Sequence, residues 1–271
     1  MQQLTFQVVS KGCKKSRIVL SLLGVCLAFV TLSGCVTSTT STGGTTITKD
    51  DEKALETHVQ LASGYYSKGN RESARHHVQK AFAFDKNSAG AHNVLALIYE
   101  QEGEMKLADE HFHRALKDKE FTGARYNYGG FLLRRERYSE CFEQFEEVSK
   151  DLHYAKRATA MSLMGVCALR SGRKDKALAV FNHAVTIDGK QSIALIELAE
   201  AAFEKKEYEK TKRYLDQFEK VSSKSARSLW LGIRIEQIFG NKDKEASYLL
   251  QLKNLHPYSK EYLAYKKSQN K

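Results

Sequence analysis

Cysteine and histidine are the side chains with the most chemistry to offer in this chain of 271 residues, yet their spacing withholds most of it. There are five Cys and nine His. His76 and His77 are adjacent, and His111 and His113 are two apart. On a helix each of these pairs points to different faces and makes a poor metal site. The sequence offers no glycine-rich phosphate loop, nucleophile elbow or paired-carboxylate cleft. The expectation is no catalytic residues, no metal ligands and no bound cofactor. One cysteine does have a chemical context. Cys35 closes the run Leu32-Ser33-Gly34-Cys35, directly after an uncharged apolar stretch from Ile18 to Gly34.

That stretch is 17 residues long, near the lower edge for a spanning helix. Ahead of it lie Lys11, Lys14, Lys15 and Arg17. A basic start, an apolar middle and small residues before a cut site make a secretory signal peptide over residues 1–34. A simple membrane anchor is the other reading. The ending decides between them, because Leu32, Ser33, Gly34 and Cys35 resemble the lipobox of bacterial lipoproteins. The resemblance implies that the Cys35 thiol receives a diacylglyceryl group and that the chain is cut just before it. The new N-terminus is then acylated, so covalent lipid on Cys35 is the only prosthetic group expected. Each buried CH₂ contributes about 0.8 kcal/mol, and two or more chains hold a protein stably at a membrane. Val36 follows the cysteine; by the same resemblance a residue other than Asp there implies sorting to the outer membrane, with the folded part facing the periplasm.

Residues 35–50 then read as a tether rich in Thr, Ser and Gly, with almost nothing to bury. Fifteen such residues span roughly 20 Å on average and about 50 Å at most. The acids Asp50, Asp51 and Glu52 suit the start of a helix, where the dipole favours negative charge. The leader's four bases account for +4 of the net charge of +11, leaving +7. No run of Lys and Arg with interleaved aromatics stands out, so the charge reads as a solvated helical surface and no nucleic acid is expected.

Residues 51–271 hold the elements that could position a site. Leu95-Ala96-x-x-Tyr99, Gly103, Ala108, Phe112 and Ala115 read as two short helices packed across a turn. The small first-helix residue recurs at Ala62, Ala96, Gly129, Gly165, Ala199 and Gly232, with spacings of 34, 33, 36, 34 and 33. This period is the tetratricopeptide (TPR) signature. The fold expected is all-α: a right-handed α-solenoid, a TPR superhelix of about six helix-turn-helix repeats. The sixth repeat matches loosely, through Ala246 and Leu250. The extra residues between the third and fourth registers fall near Asp151-Leu152-His153-Tyr154. Cys141 and Cys167 stand in consecutive repeats and a disulfide is open to them, but Cys141 replaces a small core residue and a buried thiol is the favoured reading.

In such an array the first helices line a concave face. The residues expected to form a partner-binding groove there are Val59, Ser63, Tyr66, Asn93, Leu97, Tyr126, Gly130 and Leu133. They are apolar for a solvent-facing surface and suit an amphipathic or extended peptide. In the C-terminal half the same places hold Ile193, Ile196, Phe203, Leu229 and Ile233, for which core and site readings are balanced.

Beyond the period, several runs resemble one family. They are Leu32-Ser-Gly-Cys-Val-Thr-Ser38, Lys106-Leu-Ala-Asp-Glu110, Asn127-Tyr-Gly-Gly-Phe-Leu132, Ala226-Arg-Ser-Leu-x-Leu-Gly-Ile-Arg234 and Ala246-Ser-Tyr-x-Leu-Gln-Leu-Lys253. Over residues 32–267 the chain resembles the type IV pilus biogenesis and stability lipoproteins, the pilotin family called PilF or PilW. The resemblance implies a non-enzymatic protein, monomeric when free, that binds the pilus secretin subunit in the periplasm. Its lipid carries that subunit to the outer membrane, where the secretin multimerises. The competing expectation is a TPR lipoprotein scaffold for another envelope machine, such as outer-membrane protein insertion or cell-wall synthesis.

Overall fold

The structure, a computed structural model, describes residues 48–269. The signal peptide, the lipobox Leu32-Ser33-Gly34, Cys35 and nearly all of the tether lie outside the described residues. Thirteen helices and no strand occur among those described. Six antiparallel pairs follow one another: α1 (Lys49–Ser67) with α2 (Arg71–Phe84), α3 (Ala89–Glu102) with α4 (Met105–Ala115), and α5 (Thr122–Arg134) with α6 (Tyr138–Lys150). Then come α7 (Arg157–Arg170) with α8 (Lys174–Ile187), α9 (Ser192–Glu204) with α10 (Tyr208–Val221), and α11 (Ala226–Phe239) with α12 (Lys242–Leu255). A last helix, α13 (Lys260–Gln269), packs on α11. This is the all-α repeat array read from the period.

Local chemistry starts and stops the helices. Thr48 opens α1 with a capping box: its hydroxyl accepts from the Asp51 amide at 3.2 Å, and Asp51 accepts from the Thr48 amide at 3.1 Å. Ser225 opens α11 with a second capping box through Ser228, and Asn70, Ser88 and Asn241 cap α2, α3 and α12 in the simpler way. Four turns between paired helices use a glycine at positive φ: Gly69, Gly103, Gly172 and Gly240. The third and fifth turns place Glu136 and Lys206 at φ near 60° instead. A side chain there carries a steric cost that glycine avoids.

One contact repeats through all six pairs. The small residue of the first helix faces a buried residue sixteen positions on: Ala62 and Val78, Ala96 and Phe112, Gly129 and Phe145, Gly165 and Phe181, Ala199 and Leu215, Gly232 and Tyr248. Where the small residue is Gly, the opposing residue is aromatic. A Cβ on Gly129 would lie 2.9 Å from the Phe145 ring, one on Gly232 equally close to Tyr248, and one on Gly165 closer still to Phe181. The rings occupy the space a methyl would need. This register corrects the sixth repeat. Ala246 and Leu250 are exposed, Leu250 by 59%. Tyr248 and Leu252 carry the packing instead, each two residues further on. The sixth repeat carries Lys244 where the other second helices carry Ala74, Ala108, Cys141, Ala177 and Thr211, so a pattern that looks for a small residue there misses its register.

The longer connection after α6 has a structural consequence. α6 and α7 pack along one another more closely than any other two helices from different repeats. Cys141 of α6 and Cys167 of α7 are both fully buried and joined by a disulfide, with Cα atoms 6.0 Å apart. The favoured expectation of a buried free thiol at Cys141 is thereby corrected. The burial is as read, but the first helix of the next repeat brings its own thiol to the same place.

Candidate functional site

The inner helices α1, α3, α5, α7 and α9 lie side by side, each touching the next, and α11 follows after a wider gap. On the first three, the expected groove residues divide into two groups. Ser63 is exposed, and Tyr66, Leu97, Tyr126 and Leu133 are half-buried, with their inner edges packed on the core clusters. Gly130 is also half-buried, and a Cβ there would sit 3.4 Å from the Arg134 guanidinium. These six leave surface for a partner. Val59 and Asn93 contribute less. Val59 packs into the seam against α3, where a Cβ on Gly90 would lie 2.6 Å from its Cγ1. Asn93 is only 7% exposed and accepts a hydrogen bond from Asn127 Nδ2 at 3.0 Å. Its amide ties α3 to α5.

Charge and burial shape the same face. Arg134 donates to Glu100 through Nε at 2.6 Å and Nη2 at 2.8 Å, clipping α5 to α3. Burial raises the Tyr66 phenol above its ordinary pKa, and the nearby Glu100 carboxylate adds to the rise. Tyr126 stands edge-on to Phe145 at 5.7 Å and tilts against Tyr154 at 5.8 Å. The Lys156 ammonium lies 5.2 Å from the centre of the Tyr126 ring. Burial also raises the Tyr126 phenol above its ordinary pKa.

In the C-terminal half most of the balanced positions prove to be core. Leu229 and Ile233 are fully buried and Ile196 nearly so. Ile193 is 38% exposed and Phe203 half-buried.

Several residues of weight were invisible in the sequence because their partners lie far along the chain. Arg227 donates to Glu197 at 2.7 and 3.0 Å and to Glu200 at 2.5 and 2.6 Å, bridging α11 to α9. Tyr128 donates its hydroxyl to Asp109 at 2.8 Å, and Arg137 donates to the same carboxylate oxygen at 2.9 Å. The histidines also pair, though not with their sequence neighbours. His58 faces His77 with Nδ1 atoms 3.0 Å apart, and His92 faces His111 at 2.9 Å. The two pairs are 34 residues apart, one per repeat, each joining a first helix to its second. His92 Nε2 lies 3.1 Å from the Lys86 carbonyl and so carries the hydrogen. His92 Nδ1 is then an acceptor, and His111 Nδ1 donates to it. Burial, followed by the His92 and Arg114 charges, pushes the His111 pKa down to about 4. Among the described residues, no three metal-ligating side chains converge, and no helix is long and apolar enough to cross a membrane.

Stacked helical hairpins with a half-apolar inner face define a tetratricopeptide-repeat binding scaffold. A tetratricopeptide-repeat family model matches residues 158–191, the α7–α8 pair. The type IV pilus assembly protein PilF of Pseudomonas aeruginosa is 36% identical over 242 residues, covering 88% of this chain and 94% of that one. A solved structure from the functional characterisation of P. aeruginosa PilF superposes with a TM-score of 0.77 at 35% identity, covering 81% of this chain and 100% of that one. The crystal structure of PilW, described as a widely conserved type IV pilus biogenesis factor, superposes with a TM-score of 0.64 at 25% identity. It covers 78% of this chain and 98% of that one. The chain belongs to the PilF family of type IV pilus assembly proteins.

Proposed function

We propose that this protein is an outer-membrane lipoprotein of type IV pilus biogenesis that acts as a pilotin. Its repeat array binds the pilus secretin subunit, and the lipid on Cys35 delivers that subunit to the outer membrane, where it multimerises. The observation that carries this reading is the match to PilF over 88% of the chain. The lipobox-like Leu32-Ser33-Gly34-Cys35 supports the anchor. The half-buried face of Tyr66, Leu97, Tyr126 and Leu133 supports peptide recognition on the inner helices. The lipid supplies location and the groove supplies recognition, so the function needs no turnover and no cofactor.

The test is a blot for secretin multimers in outer-membrane fractions, with and without this gene. Loss of the multimers, or their retention in the inner membrane, is the expected result. Cys35→Ala should leave a folded protein that fails to localise the secretin. Ser63→Arg, at an exposed groove position, should weaken secretin binding without changing the helical content. Normal secretin delivery by the Cys35 variant would refute the tether mechanism, and unchanged binding by the Ser63 variant would move the site off this face.

A further inference from the structure

The run Ala226–Arg234 holds two arginines seven residues apart, and the structure treats them in opposite ways. Arg227 makes four hydrogen bonds to Glu197 and Glu200. Arg234 makes no hydrogen bond or ion pair with any described residue, and its Nε is buried without an acceptor. Its guanidinium instead lies between two aromatic rings. The Phe203 centroid of α9 is 4.4 Å from Cζ, and the Trp230 centroid, one turn back on α11, is 5.4 Å away. Trp230 is braced in turn by Tyr265 of α13 at 6.3 Å. Stacking of this kind holds the guanidinium plane in place and leaves its N–H edge to be read by a planar anion.

Two further observations point to an acidic ligand. The carboxylates nearest in charge, Glu200 and Glu204, are already engaged, Glu200 by Arg227 and Glu204 by Lys174 at 2.5 Å. Burial lowers the Arg234 pKa, and the Glu200 and Glu204 charges offset that desolvation only in part. The second observation is the gap. The backbones of α9 and α11 approach less closely than the inner helices of any earlier pair of repeats. Arg227 and Arg234 of α11 reach across that seam to Glu197, Glu200 and Phe203 of α9.

We propose that the seam between α9 and α11 is a second recognition site on the array. It takes an acidic side chain of a peptide partner, with the carboxylate on the Arg234 guanidinium and the flanking apolar residues on Phe203 and Trp230. A carboxylate bound across the two Nη groups, which are not buried as Nε is, makes a bidentate pair and adds the countercharge that Glu200 and Glu204 supply only in part. The site lies on the fifth and sixth repeats, away from the groove of α1, α3 and α5, and its test is independent of secretin delivery.

Trp230 is the only tryptophan in the chain, so its fluorescence reports this site alone. The full-length protein in detergent is titrated with two blocked pentapeptide libraries. One carries a central Glu between aliphatic and aromatic residues; the other carries Gln in its place. A saturable Trp230 response to the Glu library is expected, with the Gln library at least about tenfold weaker. Arg234→Gln should abolish the preference while circular dichroism stays unchanged. Arg234→Lys, which keeps the charge but not the planar fork, should retain part of it and covers the case in which the Gln variant misfolds. Equal responses to the two libraries, no response to either, or a folded Gln variant that still prefers Glu would each overturn the proposal.

Discussion

Adding one methyl group at Gly165 should destabilise the protein, whereas the same addition at Gly64 should stabilise it. Both glycines lie inside first helices, and neither is at positive φ. Alanine is the better helix former, which favours each substitution by up to about 1 kcal/mol. The surroundings decide the sign. Nothing lies within 4 Å of a Cβ built on Gly64. A Cβ on Gly165 runs into the Phe181 ring, which is fully buried in the largest core cluster and has no empty side to move toward. Overpacking of that kind costs about 1–3 kcal/mol, which offsets the helix gain and leaves Gly165→Ala with a net loss of up to about 2 kcal/mol. The assay is urea unfolding followed by circular dichroism, with wild type, both single glycine variants, Phe181→Leu and the double variant that combines Gly165→Ala with Phe181→Leu. Shrinking the ring costs stability by itself, but in that background the added methyl should cost less, by a coupling of about 1 kcal/mol. A Gly165 variant as stable as wild type, or one whose cost is the same with and without the Phe181→Leu change, would refute the claim that ring and glycine are matched pairwise.

Two other outcomes follow from the paired side chains. His111 has its pKa depressed in the folded protein, so the unfolded chain binds more protons between about 4 and 6.5. Stability should therefore be fully present above pH 6.5 and fall by roughly 2–3 kcal/mol as the pH drops to about 4. His111→Gln should flatten that part of the profile in thermal melts run from pH 7 to 4, and an unchanged slope would count against the pairing. The Cys141–Cys167 disulfide closes a separation of 26 residues. Cys141→Ala should lower stability by about 2–4 kcal/mol under oxidising conditions, and added reductant should erase most of the difference from wild type. A Cys141 variant equal to oxidised wild type would sink that expectation.

What the sequence made legible was the part governed by local period. The six small residues and their spacings mark every first helix, and the tetratricopeptide array follows from them. The same logic locates Phe112, Phe145 and Phe181, because they lie within one hairpin. It misplaces the sixth repeat, since Lys244 stands where the other second helices place a small residue and Ala246, two positions on, offers a false match. The groove was legible only by face. Helical spacing puts Asn93 on the inner side, but whether it meets solvent depends on Asn127, 34 residues on. The histidine pairs show the same limit. Neighbouring histidines catch the eye, yet the contacts run between residues 19 apart, set by the hairpin. Cys141 with Cys167 goes further, because the pairing rests on an irregular connection that brings α7 along α6.

These long-range contacts also explain how a uniform repeat comes to have unlike ends. At the first two hairpins histidine pairs join the helices, half-buried at His58–His77 and buried at His92–His111, and the inner face beside them is apolar and half-covered. Between the fifth and sixth repeats the contacts are ionic, with Arg227 saturated by two carboxylates and Arg234 left with none. A guanidinium whose buried Nε has no acceptor weakens the fold. Retaining one is consistent with recognition, because the missing partner is the feature an incoming carboxylate would read. The apolar N-terminal face favours a peptide that offers apolar surface, and the Arg234 seam favours one that offers a negative charge. A single partner segment lying along the inner helices would have to meet both requirements, apolar at one end and acidic at the other, and a segment with only the first would engage the N-terminal repeats alone.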